Sequence, residues 1–197
     1  MDIRELKPLL KTLIGELEEV VPYATAFAAA SYGRSATVDT RNRRVAFERA
    51  VAGVVLTAFT GEHFIETATN DFGEDSLRQA AAELLSHCKQ AGIVKDTKLD
   101  IPAGDQLDKE FFVEVEKDPT CLSLEDILDE AASTKERISK LSKHFTTCGV
   151  RYGYMTRCEL FVNRAKCLYQ ELPRWDSMWY GMLSANDASI MAHGGDS

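Results

Sequence analysis

The sequence of 197 residues lacks the long apolar runs that mark a membrane protein. Its hydrophobic stretches fall well short of the roughly 18 to 20 residues that a membrane-spanning helix needs. The N-terminus is charged at Asp2, Arg4 and Glu5, so it does not resemble a secretory signal. Five cysteines, an odd number without any CxxC spacing, argue against a disulfide framework. We therefore expect a soluble protein of the reducing cytoplasm.

Basic charge is also scarce. The chain has 23 lysines and arginines against 31 aspartates and glutamates, which gives a net charge of −8. Such a charge repels polyanions, so we expect no nucleic acid and no membrane surface as a partner. The short basic cluster of Arg41, Arg43 and Arg44 could contact a phosphate, but the turn-like residues around it favour the solvated end of a hairpin.

Sequence motifs for metal binding and nucleophilic catalysis are missing as well. The chain has four histidines, at His63, His87, His144 and His193. None begins an HExxH or HExxxH motif, which would place two imidazoles and a carboxylate on one helical face. Zinc binding by His144 with Cys148 is a minor alternative to ordinary surface histidines and core cysteines. The sequence has no GxSxG elbow, cysteine-protease signature or glycine-rich phosphate loop, so we assign no catalytic, cofactor-binding or metal-binding residue.

Two further patterns have both a functional and a structural interpretation. Glu114 and Glu116 could form a carboxylate pair, but their alternation with apolar residues is more typical of the solvated face of an edge strand. Trp175 and Trp179 could stack a ligand, but aromatic residues of this kind usually build a core or an interface.

Hydrophobic periodicity predicts three helices. Leucines and isoleucine at three- and four-residue steps indicate a first helix that begins near Pro8 and ends before Pro22. The second is expected to stop at Gly92. The second and third helices are each preceded by a predicted capping box, Ser76 with Gln79 and Ser123 with Asp126.

Strand-like texture fills most of the remaining sequence. We predict four or five short strands in the first half, at about 23–32, 34–40, 44–51, 53–60 and 62–69. Turn residues at Gly33-Arg34, at 41–43 and at 60–62 separate them, so neighbours should pair as an antiparallel meander. Residues 52–59 are the most apolar and should be central. Later strands are predicted at about 149–161, 167–171 and 176–183, and from 189 onward.

These elements predict an α+β fold of antiparallel sheets, or meanders, with three main helices packed on them. Residues 1–92 should form an N-terminal α+β lobe, and the polar stretch 93–110 a linker. Residues 111–197 should form a helix followed by the start of a second antiparallel sheet. That sheet looks incomplete at the C-terminus, because the strand pattern is still running where the chain stops.

Several short motifs also follow one another in a characteristic order: 23–27, 45–50, 52–55, 60–61, 70–71 with 77–81, 161–163, Gln170 and Arg174. This series resembles the N-terminal part of the TldD/PmbA family of metal-dependent peptidases, also called modulators of DNA gyrase. Val51 and Val55 stand where that family has a glycine and an arginine. The turn at 163–166 lacks the serine and glycine of the family's N-S-x-G turn, which indicates a diverged branch.

The resemblance implies what the motifs alone do not. Family members are longer and carry HExxxH and a cysteine ligand in a C-terminal half, where we expect zinc. By this resemblance the chain is the non-catalytic N-terminal part of a peptidase that degrades or processes peptides, contributing to dimerisation and to the substrate cleft. The expected partners are its own C-terminal metal-binding domain, a second copy or paired family subunit, and an unfolded peptide. The alternative is a stand-alone or partner-subunit binding module without hydrolytic activity.

Overall fold

Three α-helices and a seven-stranded sheet form the structure, a computed structural model that describes residues 2–94, 101, 104–116, 121–186 and 188–196. The helices are a 3₁₀ turn at Ile3–Leu6, α1 at Lys7–Glu18, α2 at Glu74–Ala91 and α3 at Leu124–Ser139. The strands are β1 Tyr23–Val38, β2 Arg43–Phe59, β3 Phe64–Thr69, β4 Leu107–Phe112, β5 Phe145–Val162, β6 Lys166–Ala185 and β7 Ala188–Asp196. The predicted α+β fold class with three helices is confirmed. No helix in the described part of the chain is both long and apolar enough to cross a membrane.

The helices α1 and α3 begin where the sequence predicts. Pro8 occupies the first turn of α1, where its missing N–H costs no hydrogen bond. Before α3, the Ser123 hydroxyl accepts from the Asp126 backbone N–H at 3.0 Å, while the Asp126 carboxylate accepts from the Ser123 N–H at 2.9 Å. This reciprocal pair satisfies two donors at the helix start and confirms the predicted capping box.

The capping box predicted for α2 is wrong. The helix begins at Glu74, with Gly73 as its N-cap, so Ser76 already lies inside the first turn. The Ser76 hydroxyl donates instead to Asp71 at 2.6 Å, and Asp71 also accepts from the Gly73 N–H at 2.9 Å. Asp71 therefore organises the approach to the helix, and Glu74 complements the positive end of its dipole. The predicted stop at Gly92 is confirmed, with φ of 89°.

The sheet has the strand order β3-β2-β1-β5-β6-β4, and β7 also pairs with β6. The segment 52–59 belongs to β2 and is therefore not central, because β1 and β5 occupy the middle positions. The pairs β2–β3 and β6–β7 are antiparallel, as expected for short connections. The pair β4–β6 is parallel, which the predicted meander did not include. No hairpin joins these two strands, so α3 and β5 can serve as the crossover that parallel pairing requires.

The strands are longer than the sequence suggested. The predicted pair 23–32 and 34–40 is one strand, β1, and the pairs 44–51 with 53–60 and 167–171 with 176–183 are likewise the single strands β2 and β6. The predicted turn at Gly33 is wrong. A Cβ atom there would lie 2.2 Å from the Tyr154 carbonyl oxygen, so this glycine allows a close backbone approach within a strand.

The turn predicted at 41–43 is confirmed by its hydrogen bonds. The Asp39 carboxylate accepts from the backbone N–H groups of Arg41 and Asn42, both at 2.7 Å. The turn at 60–62 is confirmed as well. Gly61 has a φ of 103°, and the Thr60 hydroxyl accepts from the His63 N–H at 3.1 Å. Both turns use side-chain acceptors close in sequence, which the residue types indicate directly.

The chain divides into two compact units that draw on several parts of the sequence. Unit 1 comprises Met1–Ser31, Val51–Phe112 and Arg157–Leu172, and unit 2 comprises Tyr32–Ala50, Val113–Thr156 and Pro173–Ser197. The predicted linker 93–110 lies partly outside the described residues. The division into lobes 1–92 and 111–197 stays a prediction. Each compact unit contains residues from both of these ranges.

Unit 1 has the larger core. One face of α1 is buried against the sheet, where β1 presents only small side chains at alternating positions. The buried residues of these two elements are Leu10, Leu13, Ile14, Leu17, Ala24, Ala26 and Ala28. In unit 2 a smaller core forms where α3 packs on the sheet through Ala131, against Val38 and Val150. In unit 1 the tightly packed α1 sets the position of the site described next.

Candidate functional site

The candidate site is in unit 1, at the edge where β4 pairs with the first half of β6. The parallel register runs from Leu107 opposite Lys166 to Phe112 opposite Glu171. The Leu107 N–H donates to the Ala165 carbonyl at 2.9 Å. Five of the six β4 residues are exposed, so this strand contributes little to the core. It covers backbone groups of β6 that an extended chain can pair with.

A groove of about 460 Å³ borders β4 on the side of α1. Lys11 and Gly15 contribute from α1, Asp108 contributes from β4, and the β5–β6 turn at 163–166 contributes the remaining wall. The groove therefore contains basic, acidic and amide side chains together. Such a mixture can hold the polar side chains of an extended segment.

Asn163 builds the turn that ends this groove. Its buried side-chain oxygen accepts from the backbone N–H groups of Ala165 at 2.9 Å and Lys166 at 2.6 Å. Its amide nitrogen donates to the Tyr23 hydroxyl at 3.3 Å. The turn thus closes without the serine and glycine of the N-S-x-G motif, because the asparagine side chain supplies the acceptor.

Charged side chains tie β4 to the helical side of unit 1. Lys11 Nζ donates to the Asp108 carboxylate at 2.7 Å, Lys7 Nζ donates to Glu110, and Arg4 lies 3.9 Å from the other Glu110 oxygen. The hydrogen bond from Lys11 lowers the pKa of Asp108, and the same bond raises the pKa of Lys11. Both groups are therefore ionised at neutral pH, and ion pairs link this face of β4 to α1.

The spacing of these charges is matched between helix and strand. Lys7 and Lys11 are one helical turn apart, about 6 Å along the axis. Asp108 and Glu110 are two strand residues apart, about 6.6 Å. This pairing is not apparent in the sequence, because residues 107–110 fall within the predicted linker. The available signal was two acidic residues at alternating positions and two lysines four residues apart on a polar face.

The aromatic and sulfur groups beside this charged row are chemically quiet. Burial raises the pKa of the Cys167 thiol and of Tyr169, so both stay protonated at neutral pH. The Tyr169 hydroxyl donates to Glu171 at 3.1 Å, its ring lies 5.9 Å from that of Phe112, and the Arg4 guanidinium sits 5.4 Å above it. Cys167 therefore serves packing, because burial outweighs the nearby lysines and keeps the thiol protonated.

An apolar pocket of about 180 Å³ borders β4 on the opposite face of the sheet. Phe111 reaches it from β4, and further aromatic and aliphatic side chains come from β1, β5 and β6. The one carboxylate there, Glu159, accepts from Arg157 Nε at 2.6 Å and from the Gln170 amide. Its charge is thereby compensated. The edge thus has a polar groove on one face and an apolar pocket on the other.

The histidines and arginines considered in the sequence do not form a site. All four histidines are exposed, and no cluster of three potential metal-ligating side chains occurs among the described residues. Arg43 pairs with Asp129 at 2.9 Å across exposed surface, and Arg44 is 3.8 Å from Asp39. The arginines at 41–44 accordingly lie at the solvated end of a hairpin.

The glutamate and tryptophan patterns have different outcomes. Glu114 and Glu116 are exposed but follow the end of β4 at Phe112, so their placement on an edge strand is wrong. Trp179 packs against the core of unit 2, which confirms the structural interpretation. Trp175 is 36% exposed, and its ring lies 5.9 Å from that of Tyr152.

Comparison with known proteins identifies the fold. No protein-family model and no curated protein matches the sequence. Solved structures of TldD/PmbA-type proteins do match the fold. One, named "putative modulator of DNA gyrase", is from Bacteroides thetaiotaomicron; it has a TM-score of 0.77 and 13% identity over 99% of this chain and 45% of that one.

Two further structures agree with this match. A second protein of the same name, from Thermotoga maritima, has a TM-score of 0.70 and 10% identity over 97% of this chain and 42% of its own. TldE from Thermococcus kodakarensis has a TM-score of 0.66 and 12% identity over 95% and 42%. The resemblance to the TldD/PmbA family is thus confirmed for the fold. The chain spans less than half the length of each of these proteins.

Proposed function

We propose that this chain acts as the N-terminal, non-catalytic part of a TldD/PmbA-like metal-dependent peptidase. The observation that carries the proposal is the fold match, which covers 99% of this chain but only 45% of the Bacteroides protein. In this proposal the peptidase chemistry, with its zinc, belongs to a C-terminal metal-binding domain. We also propose that the protein works in the cytoplasm as a homodimer or with a paired family subunit.

The contribution of this chain to the proposed function is to help frame a cleft for unfolded peptides. A peptide that adds to a sheet edge is held by backbone hydrogen bonds, which are independent of its sequence. Side-chain pockets on both faces then add selectivity at alternating positions. The β6 edge of unit 1, which β4 covers in this structure, has this combination, with a groove on one face and a pocket on the other.

Two measurements test the proposal. The first is the coding sequence beyond Ser197. An HExxxH motif within roughly the next hundred residues supports a peptidase, and a stop codon directly after Ser197 contradicts it. The second is hydrolysis of an unfolded protein, such as fluorescein-labelled casein, by the continuous gene product. We expect cleavage that a chelator abolishes and added zinc restores, whereas an inactive product with bound zinc would refute the proposal.

The second candidate is a binding module without hydrolytic activity. The β6 edge favours it, because an edge with two flanking pockets can hold an extended segment with no catalytic group. A stop codon after Ser197, together with peptide binding by the chain alone, would decide for this candidate.

A further inference from the structure

The strand β4 is far more exposed than the buried elements of unit 1. Phe111 and Phe112 are 49% and 57% exposed, whereas the buried side chains of α1 are at most 1% exposed. Its pair with Lys11 lies on exposed surface, where Asp108 is 58% exposed, whereas Glu110 is 37% exposed in its pair with Lys7. Exposed ion pairs contribute little to stability because water and salt screen them. The other attachments are backbone pairing to β6 along one side of the strand and the contacts of the half-exposed Phe111 and Phe112.

The surface beneath β4 would persist if this strand moved away. The cations belong to Arg4, Lys7 and Lys11, on helical segments whose buried residues anchor them in the core. The pairing groups belong to β6, whose other side is fixed by β5. The uncovered edge would therefore expose backbone partners, a row of cations on one face and an apolar pocket on the other.

We propose that β4 is a built-in occupant of a peptide-docking edge, which binds an extended acidic segment in parallel register once β4 is displaced. The segment would carry carboxylates two residues apart, as Asp108 and Glu110 do, followed by aromatic residues in the positions of Phe111 and Phe112. This inference rests on the proposed function, since it gives the peptide class that this chain handles. Binding at the edge requires no hydrolysis, so the two are tested separately.

The chemistry of β4 defines the ligand. Asp108 and Glu110 lie on one face, toward Lys11 and Lys7, and Phe111 lies on the other, in the apolar pocket. A segment with this alternation satisfies both faces at once, and a segment with the charges reversed would bring cations against lysines. The edge therefore discriminates by charge as well as by backbone pairing.

The test is peptide binding to the full 197-residue chain, measured by fluorescence anisotropy. The probe is a labelled peptide with the sequence of residues 105–113. In the D108K/E110K variant, lysines of β4 face Lys11 and Lys7, which should weaken the binding of β4 to its own edge. The probe should therefore bind this variant about tenfold more tightly than it binds the unsubstituted chain. The reason is that β4 competes with the probe, and the apparent affinity falls with the fraction of sites that β4 occupies. A probe with lysine at both acidic positions should not bind the variant.

The matched control is E114K/E116K, which changes the charge equally just beyond the end of β4. Its affinity for the probe should equal that of the unsubstituted chain. Two results overturn the proposal. One is that both variants bind the probe with the same affinity. The other is that D108K/E110K does not bind the probe although its circular dichroism spectrum matches that of the unsubstituted chain. Neither result depends on casein hydrolysis by the continuous gene product, so this proposal and the proposed function can fail independently.

A second measurement decides the matter if D108K/E110K does not fold. Hydrogen exchange of the unsubstituted chain reports opening of β4 directly. The β4 amides should exchange at least about tenfold faster than those of β5 in unit 1, as a separately opening strand does. Exchange of both strands at one common rate would show that β4 leaves only on global unfolding, and would overturn the proposal.

Discussion

Replacing Gly33 with alanine is expected to destabilise the protein. Gly33 lies within β1, where a Cβ atom would be 2.2 Å from the Tyr154 carbonyl oxygen and 2.9 Å from the Met155 Cα. Side-chain Cβ atoms essentially never approach a heavy atom within 3.0 Å, so the two strands must separate locally by about 0.8 Å, the difference between 3.0 and 2.2 Å. Both atoms belong to the backbone and cannot rotate away.

The magnitude follows from two opposing effects. Overpacking of an ordered interior costs about 1–3 kcal/mol. The reduced freedom of the unfolded chain offsets about 0.4–1 kcal/mol when glycine becomes alanine. We expect a net loss of about 1–2 kcal/mol in the free energy of unfolding. For a chain of this size each kcal/mol lowers Tm by about 2–4 °C.

The matched control is Gly15→Ala in α1. No atom lies within 4 Å of a Cβ at that position, so alanine should stabilise the helix by about 0.5–1 kcal/mol. Thermal and urea unfolding followed by circular dichroism measure both variants. A G33A protein as stable as the unsubstituted chain, beside a stabilised G15A, would refute the close-approach argument.

Three further outcomes are expected. Leu10→Ala removes a fully buried side chain of α1 and should cost about 3–5 kcal/mol, measured by urea unfolding. The pKa of Asp108 is lowered in the fold, so its ion pair with Lys11 contributes fully at neutral pH and is lost as pH falls below the ordinary value of 3.8. The β4 amides should lose hydrogen-exchange protection over that pH range. Unchanged protection would contradict the pairing. Limited proteolysis should cut first between Val94 and Lys109, and first cuts within 45–69 would contradict the predicted boundary.

The elements predicted correctly from the sequence are those that depend on local signals. The leucine periodicity of α1 and the Ser123 capping box each report on residues three or four positions apart. The predictions that are wrong concern residues whose role is set by a contact outside the local pattern. Gly33 resembles a turn residue, yet glycine is required there because the Tyr154 backbone of another strand leaves no room for a Cβ atom. Ser76 resembles an N-cap residue, yet its hydroxyl donates to the carboxylate of Asp71, which precedes the helix.

The edge of unit 1 shows the same limit more strongly. Its charged row joins Lys7 and Lys11 to residues about 100 positions away, so no local window contains both partners. A polar stretch such as 93–110 carries no apolar period, and strand formation at 107–112 depends on an available partner edge. The parallel direction of β4 is likewise a property of the whole sheet.

The contrast between α1 and β4 gives the edge its capacity to exchange occupants. The buried face of α1 contributes several fully buried side chains, each worth about 1.5–3 kcal/mol in transfer free energy, so the helix opens only with unit 1. The strand β4 has half-exposed aromatic side chains and an exposed ion pair between Asp108 and Lys11, so it can open while that core stays closed. A surface fixed by α1 and β6 and covered by a weakly held strand remains shaped for an acidic extended segment, whether that segment belongs to this chain or to another.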